Sequence, residues 1–374
     1  MHDLHWAAAA VLLLISSTAR LSAQETAPWH DPSPHTVQFV TVEENVKLEV
    51  LDWGGSGRPL VLLAGLGNTA HIFDDFAPTL TSEYHVYGIT RRGYGGSSGP
   101  ASGYSSDRLG DDVLAVLDAL KLNRPVLVGH SIAGEELSSV GTRHPERVAG
   151  LIYLDAGYSY AYYDRSLGNV DIDSRELQKG LEQLRTANGP QDQKQLIQEL
   201  LQESLPEFER DLRERQTDLQ SQPPIPPSPA ASDLESFEAW LSWGKRVFGY
   251  AAPVAELRQI RESTPDGHVG EPRTKPTIPR AIIAGERKYT DIQVPVLAIF
   301  AVPHDPGPFA NVDPAALVAF EARDMAITEN QAKAFETGVP SAHVVRLPHA
   351  NHYLFLSNEA DVLREIGIFL ASLH

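Results

Sequence analysis

The sequence predicts an α/β protein: a mostly parallel sheet of about eight strands, flanked by helices and interrupted by a helical insertion. Three observations predict it. Short apolar runs alternate with helix-periodic segments over residues 37–156 and again over 290–374. One of those runs, Val126-Leu127-Val128, leads straight into Gly129-His130-Ser131-Ile132-Ala133-Gly134 and then into helix-like sequence. Between them, residues 157–289 become charged, glutamine-rich and helical. Strands alternating with helices demand a sheet covered on both faces.

The strands come in order. Val37–Val42 and Lys47–Trp53 alternate in polarity and predict a hairpin around Glu43-Glu44-Asn45. Leu60–Ala64, His85–Thr90, Val126–Val128 and Gly150–Asp155 are more continuously apolar, as strands buried on both faces must be. Val294–Phe300 and Ala342–Leu347 complete the set. Among the helices, Asp107–Leu120 places Leu109, Val113, Leu114, Val116, Leu117 and Leu120 at helical spacing; Glu135–His144 and Glu359–Leu370 follow suit. Within the insertion, Gln195–Arg215 is helix-periodic with a break expected at Pro206. Ser221–Ser232 is proline-rich and stops any helix. Phe237, Trp240, Trp243 and Phe248 then form an aromatic patch, which either packs on the main domain or lines an apolar substrate channel.

Composition narrows the function classes. A formal charge of −18 over 374 residues argues against nucleic acid or anionic membrane as a partner. The absence of cysteine excludes disulfides and a thiol nucleophile. No His/Asp/Glu group has metal-ligand spacing, so neither metal nor cofactor is expected. Trp6–Ile15 is apolar and Leu21-Ser22-Ala23 ends in a small residue, so residues 1–23 read as an export signal, despite His2, Asp3 and His5 where lysine or arginine is usual. An exported chain, released from the membrane once the signal is cleaved, is the expectation.

Ser131 sits where a nucleophile elbow would place it, between a buried strand and a helix, with small neighbours at the crowded turn. A serine needs a base to accept its proton and a carboxylate to orient that base. Both are available past strand ends: Asp305 beyond Val294–Phe300, and His352 beyond Ala342–Leu347. Asp155, which also ends a strand, competes for the acid, and His349 competes for the base. His130 and His304 read as structural or pocket-lining.

The Ser, Asp, His order and these contexts closely resemble the α/β-hydrolase superfamily. Arg91-Arg92-Gly93-Tyr94-Gly95-Gly96-Ser97-Ser98 is similar to the family's Arg-Gly loop, and Ala64-Gly65-Leu66-Gly67-Asn68 stands at its oxyanion loop, with Ala64 in place of the common histidine. The resemblance implies a core over 37–156 and 290–374, with a helical cap at 157–289 after strand six. It implies Ser131 as nucleophile, His352 as base, Asp305 as acid, and the backbone N–H groups of Leu66 and Ile132 as the oxyanion hole. Serine at the elbow argues against the carboxylate chemistry of haloalkane dehalogenases and epoxide hydrolases. The expected activity is cleavage of a small-molecule carboxylic ester through an acyl-enzyme, with an amidase or peptidase, a carbon–carbon bond hydrolase and a non-catalytic ligand-binding homologue as alternatives. Phe237, Trp240 and Trp243 are the candidate substrate contacts.

Overall fold

A computed structural model describes residues 29–220, 227–308 and 314–373. The expected signal segment therefore lies outside the described residues, as does the start of the proline-rich stretch. The chain divides into two units, Met1–Pro32 and Ser33–His374, and every element below belongs to the second.

Eight strands form one sheet in the order β1-β2-β4-β3-β5-β6-β9-β10. They are β1 (Thr36–Glu43), β2 (Val46–Gly54), β3 (Pro59–Leu63), β4 (His85–Ile89), β5 (Val126–His130), β6 (Gly150–Leu154), β9 (Val296–Ala301) and β10 (Ala342–Leu347). The β1–β2 hairpin turns at Asn45, whose φ of 63° suits a side chain that tolerates the left-handed region. From β4 to β10 all pairings are parallel. Side-chain alternation splits the core into two layers. Leu127, Leu151, Tyr153, Ala298 and Phe300 face one side, and Val126, Val128, Ile152, Leu154, Leu297 and Ile299 face the other. Both layers are buried because helices cover both faces.

Those helices are α1 (Ala77–Leu80), α2 (Ser106–Ala119), α3 (Gly134–Arg143), α10 (Pro314–Gly338), α11 (Leu354–Ser357) and α12 (Glu359–Ser372). Ser105 caps α2 by accepting from the Arg108 N–H, and the apolar stripe of α2 packs into the layer that holds Leu127.

The insertion runs between β6 and β9. It holds α4 (Val170–Thr186), α5 (Pro190–Glu199), α6 (Leu205–Gln220), α7 (Phe237–Phe248), α8 (Val254–Ile260) and α9 (Thr277–Ile283). The break expected at Pro206 takes the form of a π-helical turn at Leu200–Ser204, because proline cannot donate into the ladder behind it. A two-stranded sheet, β7 (Arg261–Ser263) with β8 (Val269–Pro272), was not expected within helical sequence. Its turn depends on Gly267 at φ 87°. Among the described residues no helix is long and apolar enough to cross a membrane.

Candidate active site

The turn after β5 is tight enough to dictate its own residues. A side chain at Gly129 would come within 2.9 Å of Leu137, and one at Gly134 within 2.0 Å of the Ala156 carbonyl oxygen. Between them Ser131 takes φ 54°, a left-handed conformation that lifts its Oγ clear of the strand. The loop after β3 closes against it. A Cβ on Gly65 would lie 2.9 Å from His130 Nδ1 and 3.1 Å from Ser131 Cβ. Arg91 holds that loop from behind. Its Nη2 donates to the Ala64 carbonyl at 2.8 Å, and its guanidinium pairs with Glu136 of α3 in a fully buried ion pair. Leu66 and Ile132, the expected oxyanion donors, thus stand in two backbone segments that meet at Ser131.

His352 Nε2 lies 3.0 Å from Ser131 Oγ. His352 Nδ1 lies 2.6 Å from Asp155 Oδ2. Since an ionised carboxylate only accepts, Nδ1 carries the proton and Nε2 is the acceptor facing Ser131. This is the tautomer a general base needs. His130 fixes the same loop from below: its Nε2 donates to the His352 carbonyl at 3.0 Å. Burial, with His352 nearby, pushes His130 down to about 3, so it stays neutral.

The expected acid is not where the carboxylate is found. Asp305 is exposed, and its carboxylate accepts from the Gly307 N–H at 2.9 Å. Asp155 takes the position instead, at φ 48° in the bend that ends β6. The reason is register. His304 forms a parallel bridge with Ala350, and the Asp305 N–H donates to the Ala350 carbonyl at 2.8 Å. Side chains alternate along such an extended segment, so His304 points inward and Asp305 outward. His349, the competing base, is exposed and does not reach the site.

Asp155 is completely buried, and its carboxylate is saturated. Oδ1 accepts from Tyr158 Oη at 2.8 Å and from the Ala301 N–H at 3.0 Å. Oδ2 accepts from His352 and, also at 2.6 Å, from His304 Nε2. Burial opposes the charge on Asp155, but the two histidines outweigh it and hold the carboxyl far below the usual range. In the loop after β6, burial keeps the Tyr160 phenol protonated. Asp155, His304 and His352 bring ligand-type atoms within 4.8 Å of one another, yet those atoms are paired among themselves. Sequence reasoning set His304 aside and missed Tyr158, Tyr160 and Asp324, whose carboxylate lies 3.0 Å from His304 Nδ1; tyrosines three and five residues past a strand-end aspartate were the one available signal.

Of the aromatic patch, Phe237 is fully buried against Leu257 and Val269, with the Arg258 guanidinium 4.2 Å from its ring centre, so it is core rather than a substrate contact. Trp240 and Trp243 line a cavity of about 170 Å³ together with Asn68, Tyr250, Glu256 and Tyr353. Ser131 is not among the residues lining it. The cavity adjoins the site through Tyr353, the neighbour of His352, and Asn68, in the loop after β3.

Comparison with known proteins gives the same architecture. Residues 58–359 match the alpha/beta hydrolase fold family. A fluoroacetate dehalogenase from Burkholderia sp is 34% identical over 116 residues, 30% of this chain and 38% of that protein. Epoxide hydrolase A from Mycobacterium tuberculosis is 35% identical over 113 residues, 29% of this chain and 35% of that protein. The chain thus spans well under half the length of these curated relatives. The solved structure of E-2-(acetamidomethylene)succinate hydrolase superposes with a TM-score of 0.55 at 18% identity, covering 90% of this chain and all 100% of that one. With the sheet order, the elbow at Ser131 and a family match over most of its length, the chain belongs to the α/β-hydrolase fold family.

Proposed function

We propose that this hydrolase cleaves small-molecule carboxylic esters through an acyl-enzyme on Ser131, with His352 as general base and Asp155 as its orienting acid. The carrying observation is the relay Ser131 Oγ to His352 Nε2 at 3.0 Å and His352 Nδ1 to Asp155 at 2.6 Å. His352 takes the hydroxyl proton as Oγ attacks the acyl carbon. The carbonyl oxygen becomes an oxyanion, which the Leu66 and Ile132 N–H groups would stabilise, as the family resemblance implies. His352 then returns the proton to the leaving alcohol, and water repeats the cycle to release the acid.

Serine at the elbow supports this reading over the alkyl-enzyme route, which needs a carboxylate nucleophile. The reading includes a lid role for residues 157–289, supported by their place between β6 and β9, and export, supported by the apolar Trp6–Ile15 run. The test is turnover of p-nitrophenyl esters beside matching anilides, with a fluorophosphonate probe. Wild type hydrolyses the esters and is labelled at Ser131. Ser131→Ala loses both, with turnover down by about 10⁵–10⁶-fold, on the scale of serine knockouts in other triads. Ester turnover that survives in folded Ser131→Ala refutes the mechanism.

A further inference from the structure

The triad carboxylate serves two histidines, and the second is not needed for a Ser-His-Asp relay. His304 Nε2 lies 2.6 Å from Asp155 Oδ2. On its other edge, Nδ1 lies 3.0 Å from Asp324 Oδ1 of α10, and the His304 backbone N–H donates to Asp324 Oδ2 at 2.7 Å. Both ring nitrogens therefore face ionisable carboxylates, which accept and do not donate when charged. A neutral imidazole has one N–H and would leave one of these contacts as two opposed lone pairs. The geometry is that of an imidazolium held between two anions.

We propose that His304 is a positioning residue, a fixed cation that clamps Asp155 and withdraws part of its field from His352, thereby setting the lowest pH at which Ser131 can be activated. The proposal rests on the hydrolase reading only for its effect on turnover. The His304 and His352 ring centres are 5.9 Å apart, close enough for a charge on one to weigh on the other. Protonation of His352 is favoured by Asp155 and opposed by His304. A site with Asp155 alone would hold the His352 proton more tightly and would need a higher pH to free Nε2.

The other groups facing this pair do not supply the same field. Tyr158 and Tyr160, from the loop after β6, are kept protonated by burial well above the ordinary phenol range. His130 at the end of β5 is neutral, and burial pushes Tyr353 up to about 12. Among the described residues, Asp324 is the one further charge in contact with His304, and its sign is opposite. His304 itself, lowered by burial but raised more by Asp155 and Asp324, stands at about 10, in agreement with the geometry.

The test compares wild type with His304→Gln, which keeps an amide donor near Asp155 but no charge; His304→Asn is the second variant. In ¹⁵N-labelled wild type, both His304 ring nitrogens should carry protons at about pH 8, well above the free histidine value. In His304→Gln the His352 ring signals should titrate about one pH unit higher than in wild type, the size expected for removing a unit charge at this distance. The acid limb of kcat/KM for p-nitrophenyl acetate should move by the same amount. A His304 ring that is neutral at about pH 8, or a His352 titration that does not move in a folded variant, overturns the proposal. If the ring signals behave as expected while wild type neither turns over esters nor reacts with fluorophosphonate, the positioning role stands and the hydrolase reading fails.

Discussion

Glu256, on α8 of the insertion, accepts a hydrogen bond from Asn68 Nδ2 at 2.9 Å. Asn68 closes the turn that begins at Gly65, and its Oδ1 accepts from Tyr353 Oη at 2.9 Å. Glu256 also accepts from the Thr69 N–H at 3.1 Å and from the Thr69 hydroxyl. One buried carboxylate therefore ties the insertion to the loop after β3 and, through Asn68, to the residue after His352.

Burial pushes Glu256 up to about 7, despite the donors from Thr69 and Asn68 that lower it. Its folded value lies above its unfolded one, so the native state binds the extra proton. The stabilisation is complete below the unfolded value near 4.5, falls as pH rises, and is gone above about 7. The swing is at most about 3 kcal/mol. Glu256→Gln cannot titrate, so urea unfolding at pH 5 and pH 8 should show a smaller stability difference than in wild type. An equal difference in both proteins would remove Glu256 as its source.

The choice between the two acids is decided by a pair of isosteric changes. Asp155→Asn should lower ester turnover by about 10⁴-fold, because the amide can hold His352 in the wrong tautomer. Asp305→Asn should leave turnover within about twofold, as expected of an exposed side chain away from the site. The opposite ranking, with both variants folded by circular dichroism, would return the acid role to Asp305.

The aromatic patch should separate into two behaviours. Trp240→Ala and Trp243→Ala should alter preference among longer acyl chains while changing p-nitrophenyl acetate turnover little, since both line the cavity beside Tyr353. Phe237→Ala should instead cost about 3–5 kcal/mol of stability with selectivity unchanged. Uniform loss on every ester in the tryptophan variants would make them structural as well.

The core strands were legible because a strand buried on both faces is a continuous apolar run; Val126–Val128 and Leu297–Ile299 leave little choice. Ser131 was legible because the backbone around it limits its neighbours: Gly129 and Gly134 have no room for a side chain. His352 was legible from its place just past the last strand, Ala342–Leu347. Asp155 and Asp305 were not separable in the same way. Both follow a strand, and what decides between them is a pairing of His304 with Ala350, which turns one neighbour in and the next out. No periodicity encodes that register. The aromatic patch divides between core and cavity for a simpler reason. Steps of three residues rotate by about 300° on a helix, so Phe237 and Trp243 stand about 120° apart, one in the core and one at the cavity.

Ser131 and Asp155 both hold left-handed backbone angles, at the ends of adjacent strands β5 and β6. For residues with a Cβ this costs about 1 kcal/mol or more at each position. The relay is thus an expense carried by the two apolar layers beneath it. Replacing either residue by glycine would relax the bend and abolish the relay in one step. Drift toward stability at these positions runs against function, and a chain freed of its chemistry would be expected to lose Ser131 or Asp155 before it lost the fold.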